Sequence, residues 1–90
     1  MLVMTRGIND RVATDTDFAK RVSKSVGRFM QRDWGDVAGE DWVTNAENYE
    51  SLEGGGGGMV LASYLDDKGM DKICIIRDTE AITVLYPSEY

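Results

Sequence analysis

Between residues 14 and 32 the apolar side chains return every three or four positions. Phe18, Val22, Val26, Phe29 and Met30 share one face of a 3.6-residue helix, while Lys20, Arg21, Lys24, Arg28 and Arg32 share the opposite face. Thr14, Asp15, Thr16 and Asp17 supply N-cap candidates and an acidic first turn. The spacing predicts an amphipathic helix over 14–32, apolar on one side and basic on the other. Asp33-Trp34-Gly35-Asp36 interrupts it: Gly35 suits a helix C-cap or a turn, and Asp36 can cap the next helix. That second helix is expected over 37–53, with Ala38, Trp42, Ala46, Tyr49 and Leu52 on its apolar face. An acidic shoulder of Asp36, Glu40, Glu47 and Glu50 lies beside that face, with Val43 among them.

The pattern then changes period. Gly54–Gly58 ends the helix and reads as a flexible connector. Extended segments come at 59–65, 72–77 and 81–86, separated by the turn-like Asp66-Asp67-Lys68-Gly69 and Asp78-Thr79-Glu80, which makes an antiparallel meander. Ile73 and Ile75 point to one side of this sheet and Cys74 and Ile76 to the other, so both faces read as apolar. Two helices can cover one face, and a homodimer through the sheet is the expected use of the second. Residues 1–13 are weakly patterned, a short strand or an arm. The expected fold is a single α+β domain over 1–90, two helices packed on a three-stranded antiparallel sheet in the order ααβββ.

Composition narrows the chemistry. The 90 residues include no histidine and one cysteine. A Ser-His-Asp or Cys-His nucleophile, a His-bearing metal site, an internal disulfide and a four-cysteine cluster are thereby excluded. Cys74, between isoleucines, reads as a small core residue and not as a reactive thiol. The pentaglycine runs from helix to strand without a closing Lys-Ser or Lys-Thr, which is not a phosphate-cradling arrangement. Asp66, Asp67 and Asp71 lack the ligand spacing of a calcium loop and read as a solvated hairpin tip. Glu40 with Glu47 or Glu50 is the pair to suspect for acid–base work, but no pocket is evident for it. The aromatic residues fit core stripes, with Trp34 in the interhelix turn expected to be the partly exposed one. No enzyme, cofactor or metal is expected. No leader or membrane-spanning segment is read, and one unpaired cysteine fits a reducing cytoplasm.

Charge is the informative property. The net charge is −6, from 16 acidic and 10 basic residues. Residues 1–32 carry seven basic side chains against three acidic, whereas residues 33–90 carry three basic against thirteen acidic. Asp33 to Glu53 contains seven carboxylates and no cation. Carboxylates arrayed on a rigid scaffold can imitate a phosphate backbone and occupy the basic groove of another protein. Asp33, Asp36, Glu40, Glu47 and Glu50 are therefore the candidate partner-binding residues. The alternative surface is the basic face of the first helix, where Lys20, Lys24, Arg28 and Arg32 would contact nucleic-acid phosphates. The acidic pI of about 4.4 disfavours direct nucleic-acid binding.

Asp33-Trp34-Gly35-Asp36-Val37, Lys72-Ile73-Cys74-Ile75-Ile76 and Thr83-Val84-Leu85-Tyr86-Pro87-Ser88-Glu89-Tyr90 together resemble a family of small proteins carried on bacterial plasmids, conjugative elements and phages. Thr5-Arg6-Gly7-Ile8 and Ser63-Tyr64 fit the same resemblance. It brings no catalytic residues and implies a mobile-element setting. Small acidic proteins there are often inhibitors of host defence, of anti-CRISPR or anti-restriction type. The expected function is thus a non-enzymatic inhibitor of a nucleic-acid-binding host defence protein, and the alternative is a small regulatory protein that binds nucleic acid through its basic helix.

Overall fold

The computed structural model describes residues 1–90. The chain runs β1 (Leu2–Met4), α1 (Arg6–Thr14), α2 (Thr16–Met30), α3 (Gly39–Glu53), β2 (Val60–Leu65), β3 (Lys72–Arg77) and β4 (Ile82–Leu85), then a short 3-10 turn at Pro87–Glu89. The class is α+β, as the periodicities indicate. β2, β3 and β4 form the expected antiparallel meander. The sheet is nevertheless mixed and four-stranded, ordered β1-β4-β3-β2, because β1 joins the edge parallel to β4. There are three helices, not two.

The two missed elements lack local signals. β1 has three residues, and α1 has no side-chain cap of its own and no acid in its first turn. Distant residues hold both in place. Thr5 N–H donates to Val84 O at 3.0 Å, and Ile82 N–H donates to Met1 O at 2.8 Å. The Glu89 carboxylate accepts from Thr5 Oγ1 at 2.7 Å and from Gly7 N–H at 3.1 Å, and so supplies the missing N-terminal cap of α1.

α2 obeys its sequence signals. Asp15 caps it by accepting from Phe18 N–H at 3.0 Å. Its other end closes on Arg32, which adopts a left-handed φ of 63° while Asp33 N–H reaches back to Arg28 O. The helix is therefore capped at Gln31, with Arg32 as the left-handed residue after it, and not at Gly35. Gly35 has a different task. At φ 73° it brings the backbone against β2, where a Cβ would run into the Ser63 carbonyl and lie 2.7 Å from the Tyr64 ring. This approach lets Ser63 N–H donate to Trp34 O at 3.2 Å and Ser63 O accept from Asp36 N–H at 2.7 Å.

The rest of the β2 outer edge is closed in the same way. The Asn45 amide of α3 serves both backbone groups of Leu61, donating to its carbonyl at 2.8 Å and accepting from its N–H at 3.2 Å. Asn48 donates to Met59 O at 2.9 Å, and Asp36 accepts from Leu65 N–H at 2.8 Å. At 59, 61, 63 and 65 the chain pairs with its own groups what an edge strand would otherwise offer to another chain.

The core lies between the helices and one face of the sheet, formed by Val60, Ala62, Tyr64, Ile73, Ile75 and Val84. Phe29, Trp34 and Tyr49 fill the space over that face, with Trp34 at ring-centroid distances of 5.2 Å and 5.4 Å from the other two. Trp34 is fully buried, and its indole N–H has no hydrogen-bond partner. Trp42, expected on the apolar face of its helix, is instead 38% exposed. The tryptophans exchange roles because α3 presents Asn45, Tyr49 and Leu52 inward, which turns Trp42 toward solvent.

Asn45→Ala should leave both backbone groups of Leu61 unpaired in a part-buried site and cost about 2–3 kcal/mol. Gly35→Ala should cost at least as much, through strain at positive φ and displacement from β2. Urea unfolding curves for both variants check this, with an exposed-site control at Glu47→Ala expected within about 0.5 kcal/mol of the parent.

Candidate interaction surfaces

The charged side chains divide sharply by type. All six arginines, Arg6, Arg11, Arg21, Arg28, Arg32 and Arg77, lie within 4.0 Å of a carboxylate, and none of the four lysines does. The arginines link elements. Arg11 and Arg21 both donate to Asp71 Oδ2 at 2.8 Å, and Arg21 also donates to Tyr64 O at 3.0 Å and Asp71 O at 2.6 Å. The β2–β3 hairpin is thereby tied to α1 and α2. A planar guanidinium with five donors can serve a carboxylate and a carbonyl together, as a lysine ammonium cannot with the same geometry.

Three of the five expected partner-binding carboxylates are used inside the fold. Asp33 takes two hydrogen bonds from Arg28, at 2.7 Å and 3.2 Å, and one from Gly35 N–H at 3.1 Å. Arg28 first, and then the Gly35 amide, hold its carboxyl below the usual carboxylate range. Asp36 is committed to the Leu65 amide. Glu50 pairs with Arg32, whose guanidinium also lies over the Tyr49 ring.

Glu40 and Glu47 remain exposed and unpaired. Asp41, not singled out from sequence, joins them in the first turn of α3, where the helix dipole favours its charge. Glu40, Val43, Glu47 and Glu50 form one exposed row along α3 at helical spacing. Val43 in that row is 59% exposed, and Trp42 stands at its flank. The surface that is free to act is therefore the outer side of α3, a line of carboxylates interrupted by two apolar side chains. The helical spacing was legible in sequence. The exposure of Trp42 was not, because it depends on Asn45 pairing with strand backbone.

The alternative set is also divided. Lys20 and Lys24 are unpaired, whereas Arg28 and Arg32 are consumed by Asp33 and Glu50. Lys20 and Lys24 line a groove of about 410 Å³ between α2 and the β2–β3 hairpin, together with Arg11, Arg21 and Arg28 and the carboxylates of Asp17, Asp66, Asp67 and Asp71. The basic face thus looks across at carboxylates and not at open solvent alone.

Cys74 and Asp66 behave as their sequence context indicates, whereas Asp71, expected at a solvated hairpin tip, is drawn in by Arg11 and Arg21. Cys74 is buried, and desolvation raises its thiol, which keeps it unreactive. Asp66 and Asp78 belong to hairpin turns: Asp66 accepts from Met70 N–H at 2.8 Å, and Asp78 accepts from the amides of Glu80 and Ala81 at 2.8 Å and 3.0 Å. These backbone donors hold both carboxyls low. Glu89 is likewise held low, by the Tyr86 amide and the Thr5 hydroxyl.

A carboxyl whose pKa is depressed by folding contributes stability above its unfolded value near 4, and that stability is lost as pH falls through the folded value. Asp33, Asp66, Asp78 and Glu89 all act in this direction. Thermal stability should therefore be flat between about pH 6 and 8 and fall below about pH 4. Asp33→Asn should lower stability at pH 7 by about 1 kcal/mol and flatten the acid limb, as read by melting curves against pH.

No family model matches this chain, and comparison with curated proteins and with solved structures finds no match either.

Proposed function

We propose that this chain is a non-catalytic inhibitor. Its acidic α3 surface occupies the basic, nucleic-acid-binding groove of a host defence protein of the CRISPR or restriction type, in the bacterial cytoplasm. The observation that supports this reading is the distribution of uncompensated charge. Internal pairing engages every arginine but the solvent-exposed Arg6, and α3 keeps Glu40, Asp41 and Glu47 free. Glu40 and Glu47, seven residues apart, stand on one side of the helix about 10.5 Å apart along its axis, with Asp41 beside Glu40, a rigid anionic array for Lys and Arg side chains. Trp42 and Val43 add the apolar contact area that charge alone lacks, since an aromatic anchor commonly dominates binding energy. The resemblance to mobile-element proteins supplies the setting.

The alternative, nucleic acid bound along α2, is less well supported. Two of its four cations are neutralised, and the other two share a groove with four carboxylates. No helix of the chain is long and apolar enough to cross a membrane.

Tagged protein should capture a salt-sensitive, nucleic-acid-binding protein from nuclease-treated bacterial lysate. For that partner, the triple variant Glu40→Gln, Asp41→Asn, Glu47→Gln should associate about tenfold more slowly at low salt and nearly normally at high salt. Asp33→Asn should reduce thermal stability with little change in association rate. Stopped-flow or surface-binding kinetics read both. An unchanged association rate in the triple variant would remove the proposal.

A further inference from the structure

The two edges of the sheet are treated in opposite ways. The outer edge of β2 is closed by Trp34, Asp36, Asn45 and Asn48. The outer edge of β1 is bare. Met1 and Thr5 direct their backbone groups at β4. Alternation along the strand turns the N–H and C=O groups of Leu2 and Met4 away from it, where they meet no partner in the chain. No lysine or proline guards this strand, and the side chains beside the open groups are apolar. Leu2 is 53% exposed and Val3 37% exposed. Met1 and Met30, both exposed, share an adjoining depression of about 240 Å³ with Ile82. Exposed apolar side chains thus gather around a free hydrogen-bonding edge.

We infer that β1 pairs antiparallel with β1 of a second copy of this chain, about a two-fold axis through Val3. The pattern of free groups is self-complementary. With Val3 opposite Val3 of the second copy, Leu2 lies opposite Met4 and Met4 opposite Leu2. Both pairs are of the hydrogen-bonded type, so the four free groups on each copy are all satisfied in four bonds. An isologous contact needs this self-matching, the same edge presented in opposite directions by the two copies. The row Val3, Thr83, Ile76 and Leu61, β-branched or aliphatic throughout and placed by register across one sheet face, then continues into its symmetry mate. The edge is a better site for a second copy than the face itself. Ser63, Cys74 and Leu85, at the centre of that face, are already buried within the chain and have little area left to contribute. The contact leaves α3 free and is independent of the proposed inhibitory function.

Sedimentation velocity of the 10.0 kDa chain over a concentration range of about 5–500 µM tests this. The expected result is a concentration-dependent shift to twice the monomer mass. Slowed amide exchange at Leu2 and Met4 should appear only at the high end of the range. Val3→Lys would set two ammonium groups face to face across Cα atoms about 4.5 Å apart, and it should weaken association at least tenfold with an unchanged melting temperature. Val3→Thr, β-branched and uncharged, should retain the dimer. A monomer throughout the range would overturn the inference. So would a dimer that survives Val3→Lys, and one that is lost instead with Ile76→Lys would place the second copy on the sheet face.

Discussion

The closure of the β2 edge is the constraint on which the rest of this molecule depends. An edge strand carries a row of peptide groups that must find partners, and here one short segment and one helix provide them. Trp34 and Asp36 can bond to Ser63 only if Gly35 adopts a left-handed conformation against the strand. That approach drives the Trp34 indole under the helices, where it completes the aromatic cluster with Phe29 and Tyr49. It also places Asp36 beside Leu65 and sets where α3 begins. Asn45 and Asn48 then dock α3 by amide-to-backbone bonds. Helix orientation follows from two polar side chains as much as from Tyr49 and Leu52.

The same economy appears in the charges. Arginine joins separate parts of the fold: Arg21 and Arg11 hold the β2–β3 hairpin, Arg28 holds the turn after α2, and Arg32 and Arg77 reach the acids of α3. Four of these guanidiniums, on Arg11, Arg28, Arg32 and Arg77, also lie over aromatic rings at 4.0–5.0 Å. A delocalised, weakly hydrated cation tolerates such half-buried positions better than an ammonium. The lysines stay outside this network. The apparent polarity of the sequence, a basic head and an acidic body, is therefore in good part a set of internal pairs, and Glu40, Asp41 and Glu47 on α3 are among the carboxylates that meet no cation.

How much of this could be read from sequence depends on whether the signal is local. The α2 stripe, the α3 span and the three strands of the meander follow from periodicity and turn residues within each segment. α1 and β1 do not, because their decisive bonds come from Val84, Ile82 and from Glu89, 84 residues beyond Thr5. Asn45 escapes a hydropathy pattern altogether. On a helical wheel it is a polar residue beside an apolar face, and only the strand edge opposite gives it a reason to be buried. Misjudging it also misplaces Trp42. The five carboxylates are divided by the fold for a related reason. Side chains of equal charge in one stretch look equivalent until the fold assigns Asp33, Asp36 and Glu50 to partners.

That assignment changes what the acidic segment can do. The engaged carboxylates fix the path from α2 through Gly35 to the start of α3, while Glu40, Asp41 and Glu47 project from a helix whose axis is pinned at Asn45, Asn48 and Tyr49. A charged surface held this way has already lost the backbone freedom that a disordered acidic stretch would surrender on binding, so more of its electrostatic attraction survives as affinity. The division of labour among neighbouring acids, three holding the scaffold and three facing outward, makes the surface both stable and available. It also explains why exposed Trp42 and Val43 can be tolerated there: they stand among carboxylates that keep the patch hydrated.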